Sequence, residues 1–166
     1  MAGYWATRQE SRYYRAVLRL AKKYAASAQS MLDVGTGPCP YPEWFTWIPR
    51  KVLVDKREGP AAPGTERICA DFMTLDMDEA FDLVTCLQVL EHLPDPEKMA
   101  ARLLKQGKAV IVSVPYMWPK EACRFHVQDP VSEKKLLSWF GVPATETLKV
   151  TEPGTNVTRL IAVFVL

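Results

Sequence analysis

The sequence predicts an α/β fold built on a doubly wound, mostly parallel sheet of seven strands. Two observations carry this prediction. Short apolar segments with the length of buried strands alternate with segments of helical periodicity along most of the chain, and this alternation is typical of parallel sheets covered by helices. Residues 147–166 instead contain two apolar segments separated by a turn. The last strand is therefore expected to run antiparallel to its neighbours, in a closing hairpin.

The composition indicates a single domain that covers residues 1–166. Of the 166 residues, 48% are hydrophobic and 24% are charged, which is ordinary globular usage and excludes a disordered, collagenous or coiled-coil chain. The net charge of +2 is too small to indicate a nucleic-acid or membrane-surface partner. The four cysteines stand far apart and the N-terminus has no signal pattern, so we expect a cytoplasmic protein without disulfide bonds.

The N-terminal segment, residues 1–30, predicts an amphipathic helix. Thr7 and Glu10 have the spacing of a capping box, in which a hydroxyl and a carboxylate each accept a free amide of the first turn. Apolar residues recur at helical spacing and predict the buried face, which comprises Tyr14, Val17, Leu18, Ala21, Ala25 and Ala28.

The remaining elements follow from short apolar runs and from the residues at their boundaries. Strands are predicted at residues 31–34, 51–55, 67–70, 81–87, 108–114, 147–151 and 157–166. Asp95 and Ser132 are suited to begin two helices, which end at Gly107 and Gly141. A short aromatic helix is predicted at residues 43–48. Two segments lack periodicity and predict loops, at residues 56–66 and 115–131.

A glycine turn after the first strand is the first candidate for ligand binding. In an open parallel sheet, ligands bind at the carboxyl ends of the strands. Gly35 and Gly37 lie there and allow positive φ angles and a close approach of the backbone to a ligand. Asp55 ends the second strand, twenty positions after Gly35, where ribose hydroxyls are usually bound. These residues predict an adenosine-like ligand with a ribose diol.

The prolines after this turn argue against a ligand with phosphates. The dinucleotide fingerprint needs a third glycine and a helix whose free amides bind pyrophosphate. Here the third glycine position is Pro40, and the nearby Pro38 and Pro42 also lack amide hydrogens. No P-loop sequence is present. The sequence therefore disfavours an NAD-dependent reductase and favours an adenosine ligand without phosphates.

At this point the sequence resembles the class I S-adenosylmethionine-dependent methyltransferases. Residues 33–38 (Asp-Val-Gly-Thr-Gly-Pro) resemble the first motif of that family, and Asp55, Asp71-Phe72 and residues 87–96 resemble its later motifs in the same order. The resemblance spans residues 31–114, and the closing hairpin extends it. It implies a Rossmann-like fold, S-adenosylmethionine as cofactor and methyl transfer as the reaction.

The resemblance implies a role for each matched residue of the cofactor-binding core, residues 31–114. It assigns Asp33, Gly35 and Gly37 to the methionine end of the cofactor and Asp55 to its ribose diol. The position of the usual third glycine of the motif is occupied by a cysteine at position 39.

The later motifs imply contacts with the other end of the cofactor. Asp71 and Phe72 are assigned to adenine, with Asp71 binding the exocyclic amine. Leu87 and Gln88 are assigned to the cofactor wall after the fourth strand. Capping of a nearby turn is the structural alternative for the two aspartates Asp33 and Asp71.

Within the N-terminal segment, residues 1–30, the first helix is expected to fold over the cofactor. Arg8 or Tyr14 is placed to reach the carboxylate of the cofactor. This assignment follows from the resemblance and not from the helix pattern.

The loop at residues 115–131 is the expected acceptor side. It combines Tyr116 and Trp118 with Arg124, and aromatic faces beside polar groups suit a sugar-like or other small polar acceptor. This loop is similar to that of small bacterial methyltransferases found near cell-surface polysaccharide genes. The alternative is that Tyr116 and Trp118 only pack the loop. The domain has no sizeable insertion that would form a lid, so we expect a monomer or a homodimer.

Two histidines are the candidate bases for methylation of a hydroxyl. His126 lies in the acceptor loop and His92 follows the fourth strand. We expect His126 to act as the base, oriented by Asp129, with His92 as the second candidate. The alternative is that each histidine has only a structural role in its loop.

A metal site and a nucleic-acid substrate are both disfavoured. Glu91-His92 resembles part of the Glu-x-x-Glu-His motif of metal-assisted ubiquinone-pathway and small-RNA 2′-O-methyltransferases, but the first glutamate is Gln88 here, so no metal is expected. Pro115-Tyr116 resembles the Pro-Pro-Tyr of adenine methyltransferases but follows the wrong strand. Cys86 is better explained as a small buried strand residue than as a cytosine-attacking nucleophile.

Two functions of different classes are therefore compatible with the sequence. The first is methyl transfer from S-adenosylmethionine to a hydroxyl of a small, sugar-like acceptor. The second is a non-catalytic S-adenosylmethionine-binding module that serves as a partner or scaffold for another enzyme. Turnover that depends on His126 distinguishes them.

Overall fold

The computed structural model describes residues 8–166 and contains one seven-stranded sheet. The strands are β1 (Ser30–Val34), β2 (Arg50–Asp55), β3 (Thr65–Cys69), β4 (Phe81–Leu87), β5 (Gly107–Pro115), β6 (Glu146–Thr151) and β7 (Thr158–Val165). The helices are α1 (Arg12–Tyr24), α2 (Pro96–Gln106) and α3 (Glu133–Phe140).

The strand order is β3-β2-β1-β4-β5-β7-β6, with β1 to β5 parallel. Strand β7 lies antiparallel between β5 and β6. The predicted mixed sheet with a C-terminal hairpin is therefore confirmed. The order reverses between β1 and β4, so the carboxyl ends of these strands border a crevice in which doubly wound sheets bind ligands.

The sheet buries both of its faces. Side chains alternate between the faces along each strand, so Leu32 and Val84 join the core under α2 and α3, whereas Met31 and Leu83 join the core under α1. Burial on both sides explains why β4 and β5 are almost continuously apolar.

Helix α1 begins later than the capping-box pattern predicts. Ser11 is the N-cap, since its hydroxyl accepts the Tyr14 amide at 3.2 Å, and Glu10 lies in a preceding 3₁₀ turn, Arg8–Glu10. The predicted cap at Glu10 is therefore wrong, and Thr7 lies outside the described residues. The cause is tertiary, because the Glu152 carboxylate accepts the amides of Arg12 and Tyr13 at 3.2 and 3.0 Å. The buried face of α1 consists of Tyr13, Ala16, Val17, Leu20 and Ala21.

The other two helices confirm most of their predicted boundaries. Ser132 caps α3 by accepting the Lys135 amide at 3.1 Å, and Gly141 ends it with φ of +66°. Asp95 precedes α2, but its side chain makes no capping bond and pairs with Lys98 at 2.8 Å instead.

The connections between the first three strands contain no α-helix. The predicted aromatic helix at residues 43–48 is instead a 3₁₀ turn at Tyr41–Trp44. Residues 56–64 form a loop, as predicted from their glycine and proline content. The crevice above β1 and β2 is therefore bordered by short turns that hold the polar groups described next.

Candidate active site

The buried carboxylate of Asp33 organises the turn after β1. It accepts hydrogen bonds from the hydroxyls of Thr36 at 2.5 Å and Thr85 at 2.7 Å, and from Tyr41. Burial raises the pKa of Asp33 to about 7, in spite of these bonds. Because all three partners are protein groups, Asp33 holds the turn in shape. Asp33 does not line the cavity beside the turn, and its assignment to the methionine end of the cofactor stays a prediction.

The glycines of the turn are required by its geometry. Gly35 and Gly37 have φ of +79° and +57°, a conformation that side chains disfavour. A Cβ on Gly35 would lie 2.4 Å from a methyl of Val89. Space beside Gly37 is open, and its amide donates to Asp55 at 2.7 Å. The positive φ angles expected from the sequence are present, whereas the close approach of the backbone to a ligand stays a prediction.

Asp55 lies at the end of β2, and each of its carboxylate oxygens accepts a hydrogen bond from a different backbone amide. Oδ2 accepts from Gly37 and Oδ1 accepts from Arg57 at 2.8 Å. A carboxylate oxygen accepts more than one hydrogen bond, and Asp55 is only half-buried. Its outer lone pairs remain available to a ribose diol.

The two residues assigned to adenine, Asp71 and Phe72, differ in burial. Asp71 follows β3, accepts the Met73 amide at 2.9 Å and pairs with Lys56 at 3.0 Å; both contacts lower the pKa of Asp71. Phe72 is buried in the core, and the Arg102 guanidinium lies 4.5 Å from the centre of its ring. The ring of Phe72 therefore packs in the core, and the contact of Phe72 with adenine stays a prediction.

Leu87 and Gln88 lie at the end of β4 and line a cavity. Gln88 has φ of +58°, and its amide side chain donates to the Ser113 hydroxyl at 3.1 Å. The Tyr13 hydroxyl lies 2.5 Å from the same Ser113 oxygen. Burial raises the pKa of Tyr13, so Tyr13 stays uncharged. The side chain of Gln88 is thus fixed by α1 and β5.

This cavity, of about 290 Å³, joins the glycine turn to the acceptor loop. Its wall contains predicted residues from both sides, namely Arg8, Tyr14, Gly35, Leu87, Gln88, His92, Trp118 and His126. The residues assigned to ribose and adenine, Asp55, Asp71 and Phe72, are not among its lining residues. The cavity therefore brings together residues predicted for the methionine end of the cofactor and for the acceptor, whereas the residues predicted for the adenosine part lie outside it.

His126 is oriented by a buried carboxylate. Its Nδ1 lies 2.7 Å from Oδ2 of Asp129, and the two side chains are only 7% and 2% exposed. Since the carboxylate accepts, Nδ1 carries the proton and Nε2 keeps a lone pair. The predicted pairing with Asp129 is present. The Trp118 ring packs beside His126, with ring centres 5.8 Å apart.

His92 has the same tautomer for a different reason. Its Nδ1 lies 3.0 Å from the Phe125 carbonyl, which can only accept, so Nε2 again keeps a lone pair. The rings of His92 and His126 meet edge to face at 4.7 Å. The amides of Val127 and Gln128 also donate to the Glu91 carbonyl. The acceptor loop is therefore tied to the turn that follows β4.

Glu91 is a buried carboxylate without a hydrogen-bond partner among the described residues. Its side chain is 1% exposed, and burial raises the pKa of Glu91 to about 8. One oxygen lies 3.9 Å from Nε2 of His92. Within residues 8–166, ligand atoms of Glu91, His92 and His126 all lie within 4.8 Å of one another.

These three side chains fit a divalent cation. Two imidazole lone pairs and one carboxylate are common ligands of transition metals, and a cation would satisfy the orphan Glu91 oxygens. The nearby side chain of Gln88 donates to the Ser113 hydroxyl through Nε2. From the sequence no metal was expected, because only Glu91 and His92 match the motif of the metal-assisted enzymes. His126 follows 34 residues after His92, too far along the chain for spacing to reveal the contact.

Only one of the three predicted acceptor residues lies in the cavity wall. Trp118 lines it. The ring centre of Tyr116 lies 4.6 Å from Nζ of Lys149. Arg124 is exposed, and its guanidinium packs on the ring of Phe125. The prediction of Tyr116 and Arg124 as acceptor contacts has no support from the cavity.

Arg159 was missed by the sequence analysis. It lines the cavity from β7, and its guanidinium lies 4.9 Å from the ring centre of Tyr13. Its Nε is buried without a partner among residues 8–166. An available signal was a basic residue at the start of an otherwise apolar strand, opposite Pro115 in the β5 pairing.

The sheet order, the glycine turn and the crevice define a class I methyltransferase fold. The sequence matches the methyltransferase domain family over residues 4–148. The chain therefore belongs to this family of S-adenosylmethionine-dependent methyltransferase domains.

Two solved structures and one curated relative illustrate the likeness. The N-methyltransferase NodS of Bradyrhizobium japonicum WM9, in complex with S-adenosyl-L-homocysteine, has a TM-score of 0.70 and 15% identity over 98% of this chain and 92% of its own. The N-terminal domain of EvdMO1, in the presence of S-adenosylhomocysteine and D-fucose, has a TM-score of 0.66 and 16% identity over 90% and 81%. The ubiquinone biosynthesis O-methyltransferase of Pseudomonas putida W619 is 30% identical over 115 residues, or 60% of this chain and 50% of that protein.

The chain spans between a quarter and a half of the length of the curated relatives that it matches. Within residues 8–166, no helix is long and apolar enough to cross a membrane.

Proposed function

We propose that the chain transfers a methyl group from S-adenosylmethionine to a hydroxyl of a small polar, sugar-like acceptor. The observation that carries this proposal is the cavity that joins the glycine turn to the His126–Asp129 pair. A methyl donor at the turn and a base at the loop would meet in one enclosed space. The D-fucose in the EvdMO1 structure supports a saccharide acceptor.

The chemistry of the step assigns a role to the histidine. The sulfonium methyl is already activated, so the protein mainly aligns sulfur, methyl and oxygen in line. The C–S bond breaks as the C–O bond forms, and the hydroxyl proton passes to Nε2 of His126. S-adenosylhomocysteine leaves as the product. Asp129, bonded to Nδ1 at 2.7 Å, stabilises the imidazolium that results.

The cofactor would be held along the carboxyl edge of β1, β2 and β4. Asp55 binds the ribose diol and Asp71 binds the exocyclic amine of adenine. The methionine end lies at the glycine turn, with Arg8 or Tyr14 near its carboxylate. Both side chains line the cavity beside the turn, as this placement needs.

The test is a transfer assay with labelled S-adenosylmethionine, saccharide pools and mass spectrometry of the products. Removal of a general base typically lowers the rate by roughly 10²–10⁴-fold. His126→Ala should lower methyl transfer by that amount while the dissociation constant for S-adenosylhomocysteine stays within about threefold of the wild type.

The control is Lys120→Ala, because Lys120 is exposed and does not line the cavity; its rate of methyl transfer should equal that of the wild type. Binding of S-adenosylhomocysteine without methylation of any acceptor pool would favour the scaffold function. Transfer that is unchanged in His126→Ala would refute His126 as the base.

A metal-assisted reaction is the second candidate, favoured by the orphan carboxylate of Glu91. Glu91, His92 and His126 would hold the ion, and a bound divalent ion favours the deprotonated form of a hydroxyl beside it. The two candidates differ in His126, which is a base in the first and a ligand in the second.

Metal binding can be measured without cofactor or acceptor. Titration of the wild type with Mn²⁺ or Zn²⁺ should give heat by calorimetry, and Glu91→Gln should weaken binding by at least about tenfold. Glu121→Gln is the matched control, since Glu121 is exposed and is not among the three candidate ligands. Transfer at full rate after removal of divalent ions would exclude this second candidate.

A further inference from the structure

Four hydrogen bonds join Asp55 and Arg67 through two loop residues in a closed ring. The Arg67 guanidinium donates to the Gly37 carbonyl through Nη1 and to the Arg57 carbonyl through Nη2, both at 3.2 Å. The amides of the same two residues donate to the two carboxylate oxygens of Asp55, at 2.7 and 2.8 Å. One arginine therefore binds both peptide segments that orient Asp55.

We propose that Arg67 is a positioning residue that sets the orientation of the Asp55 carboxylate for recognition of the cofactor ribose. The inference rests on the proposed function, because Asp55 is assigned there to the ribose diol. Rotation of the Asp55 carboxylate would break a bond to Gly37 or Arg57. Movement of either loop would break a bond to Arg67. The ring thus keeps the outer lone pairs of Asp55 aimed into the crevice.

The chemistry of the ring requires arginine. The planar guanidinium presents parallel N–H groups that bind two acceptors at once, whereas a lysine ammonium is a compact charge without this fork. Arg67 lies on β3, the strand next to β2, opposite Leu53. Arg67 does not line the cavity that joins the glycine turn to the acceptor loop, but it lines a smaller cavity of about 100 Å³ together with Gly37. Its hydrogen bonds to the two loops give it a route to the cofactor through Asp55, and the experiment below tests this route with a ligand that lacks the ribose hydroxyls.

Gly59 provides a way to disturb the ring without replacing Arg67. A Cβ on Gly59 would lie 2.5 Å from Nη2 of Arg67. The guanidinium is the far end of a flexible side chain, so Gly59→Ala displaces it at little cost to folding. The variant Arg67→Lys keeps the charge and removes the fork. Arg67→Lys tests whether a positive charge at this position is sufficient. Gly59→Ala tests whether the position of the guanidinium matters while Arg67 itself is kept.

The experiment is calorimetric titration with S-adenosylhomocysteine and with its 2′,3′-dideoxy analogue, which lacks the hydroxyls that Asp55 would bind. Loss of well-oriented bonds to a charged group costs roughly tenfold or more in affinity. Both Arg67→Lys and Gly59→Ala should weaken S-adenosylhomocysteine by about tenfold and the analogue by less than about threefold. The control is Arg50→Lys at the opposite end of β2, where Arg50 pairs with Glu79; it should change neither affinity.

The outcomes separate this inference from the proposed function. If the folded wild type does not bind S-adenosylhomocysteine, both the proposed function and the inference are refuted. If the wild type binds and the variants lose affinity for both ligands equally, Arg67 acts only on general structure and the inference is overturned. Wild-type affinity for both ligands in Arg67→Lys would also overturn it. Thermal unfolding of each variant confirms that folded protein is compared.

Discussion

At the residue scale, the behaviour of each carboxylate in the site follows from its partners. Asp33 is buried among three hydroxyls, Asp55 accepts two amides at the edge of the crevice, and Glu91 is buried without a partner among the described residues. A buried carboxylate with hydrogen-bond partners orders its surroundings, whereas one without partners is costly to keep. These partners support the proposed roles, namely structure for Asp33, ribose binding for Asp55 and, in the metal-assisted candidate, ligation of the ion for Glu91.

The pairing of Asp129 with His126 predicts a loss of rate without loss of cofactor affinity. In Asp129→Asn the neutral amide no longer stabilises a cationic imidazole, and it also permits the other tautomer. We expect the rate of methyl transfer to fall by at least about tenfold. The dissociation constant for S-adenosylhomocysteine, measured by calorimetry, should stay near that of the wild type. An unchanged rate would show that the pairing has no catalytic role.

The raised pKa of Asp33 predicts a pH dependence of stability. An aspartate in the unfolded chain has a pKa of about 3.9, whereas that of Asp33 in the folded protein is about 7. The folded state therefore binds more protons between these values, so the contribution of Asp33 to the free energy of unfolding decreases as pH rises from about 4 to about 7.

Asp33→Asn removes this titration. Urea denaturation at pH 5 and pH 7.5 should show a smaller loss of stability on raising the pH in Asp33→Asn than in the wild type. Comparison of the two proteins cancels the contribution of other titrating groups. Equal pH dependence in both proteins would contradict the assignment of a raised pKa to Asp33.

At the element scale, the turn after β1 depends on close packing as well as on φ. In Gly35→Ala the new Cβ would lie 2.4 Å from a Val89 methyl, and the φ of +79° would be strained. Overpacking costs about 1–3 kcal/mol, in addition to about 1–2 kcal/mol for the left-handed conformation. The variant should lose that stability in urea denaturation, and its affinity for S-adenosylhomocysteine should fall because the turn shifts.

Gly154→Ala is the matched control for Gly35→Ala. Gly154 has a similar φ of +71°, open space around its Cβ position, and a place in the β6–β7 turn away from the crevice. It should show only the conformational cost and no change in affinity. Equal destabilisation by the two substitutions would mean that the contact with Val89 is relieved easily.

The start of α1 predicts a coupling between the closing hairpin and the cavity wall. The Glu152 carboxylate caps α1, and α1 carries Tyr13 and Tyr14 into the cavity. Glu152→Ala should destabilise the protein by about 0.5–2 kcal/mol, as loss of a helix cap does. Measurement by urea denaturation should be accompanied by hydrogen exchange, in which the amides of Arg12 and Tyr13 lose protection. Unchanged exchange at these amides would contradict the capping role.

At the scale of the whole molecule, the sheet could be predicted from the sequence because the pattern of apolar residues in a strand indicates which of its faces are buried. Strands β4 and β5 are buried on both faces and appear as continuous apolar runs. The C-terminal hairpin was indicated by turn residues between two apolar segments. Each of these signals lies within a short segment of the chain, so it can be recognised without knowledge of tertiary contacts.

The parts of the site that escaped prediction depend on contacts between distant residues. The cap of α1 by Glu152 joins positions 140 residues apart. The approach of His126 to His92 requires the acceptor loop to fold back on the turn after β4. The two hydrogen bonds that Arg67 donates to the carbonyls of Gly37 and Arg57 could not be predicted from the sequence. By contrast, the pairing of His126 with Asp129 could be predicted, since the two residues lie only three positions apart.

The most direct test of the cofactor site is calorimetric titration of the folded protein with S-adenosylhomocysteine, for the wild type and for Asp55→Ala. The proposed function predicts saturable binding by the wild type and an affinity at least about tenfold lower in the variant, which cannot bind the ribose diol. Folded wild-type protein that gives no heat of binding at about 1 mM ligand, or an Asp55→Ala variant that binds as tightly as the wild type, would contradict it.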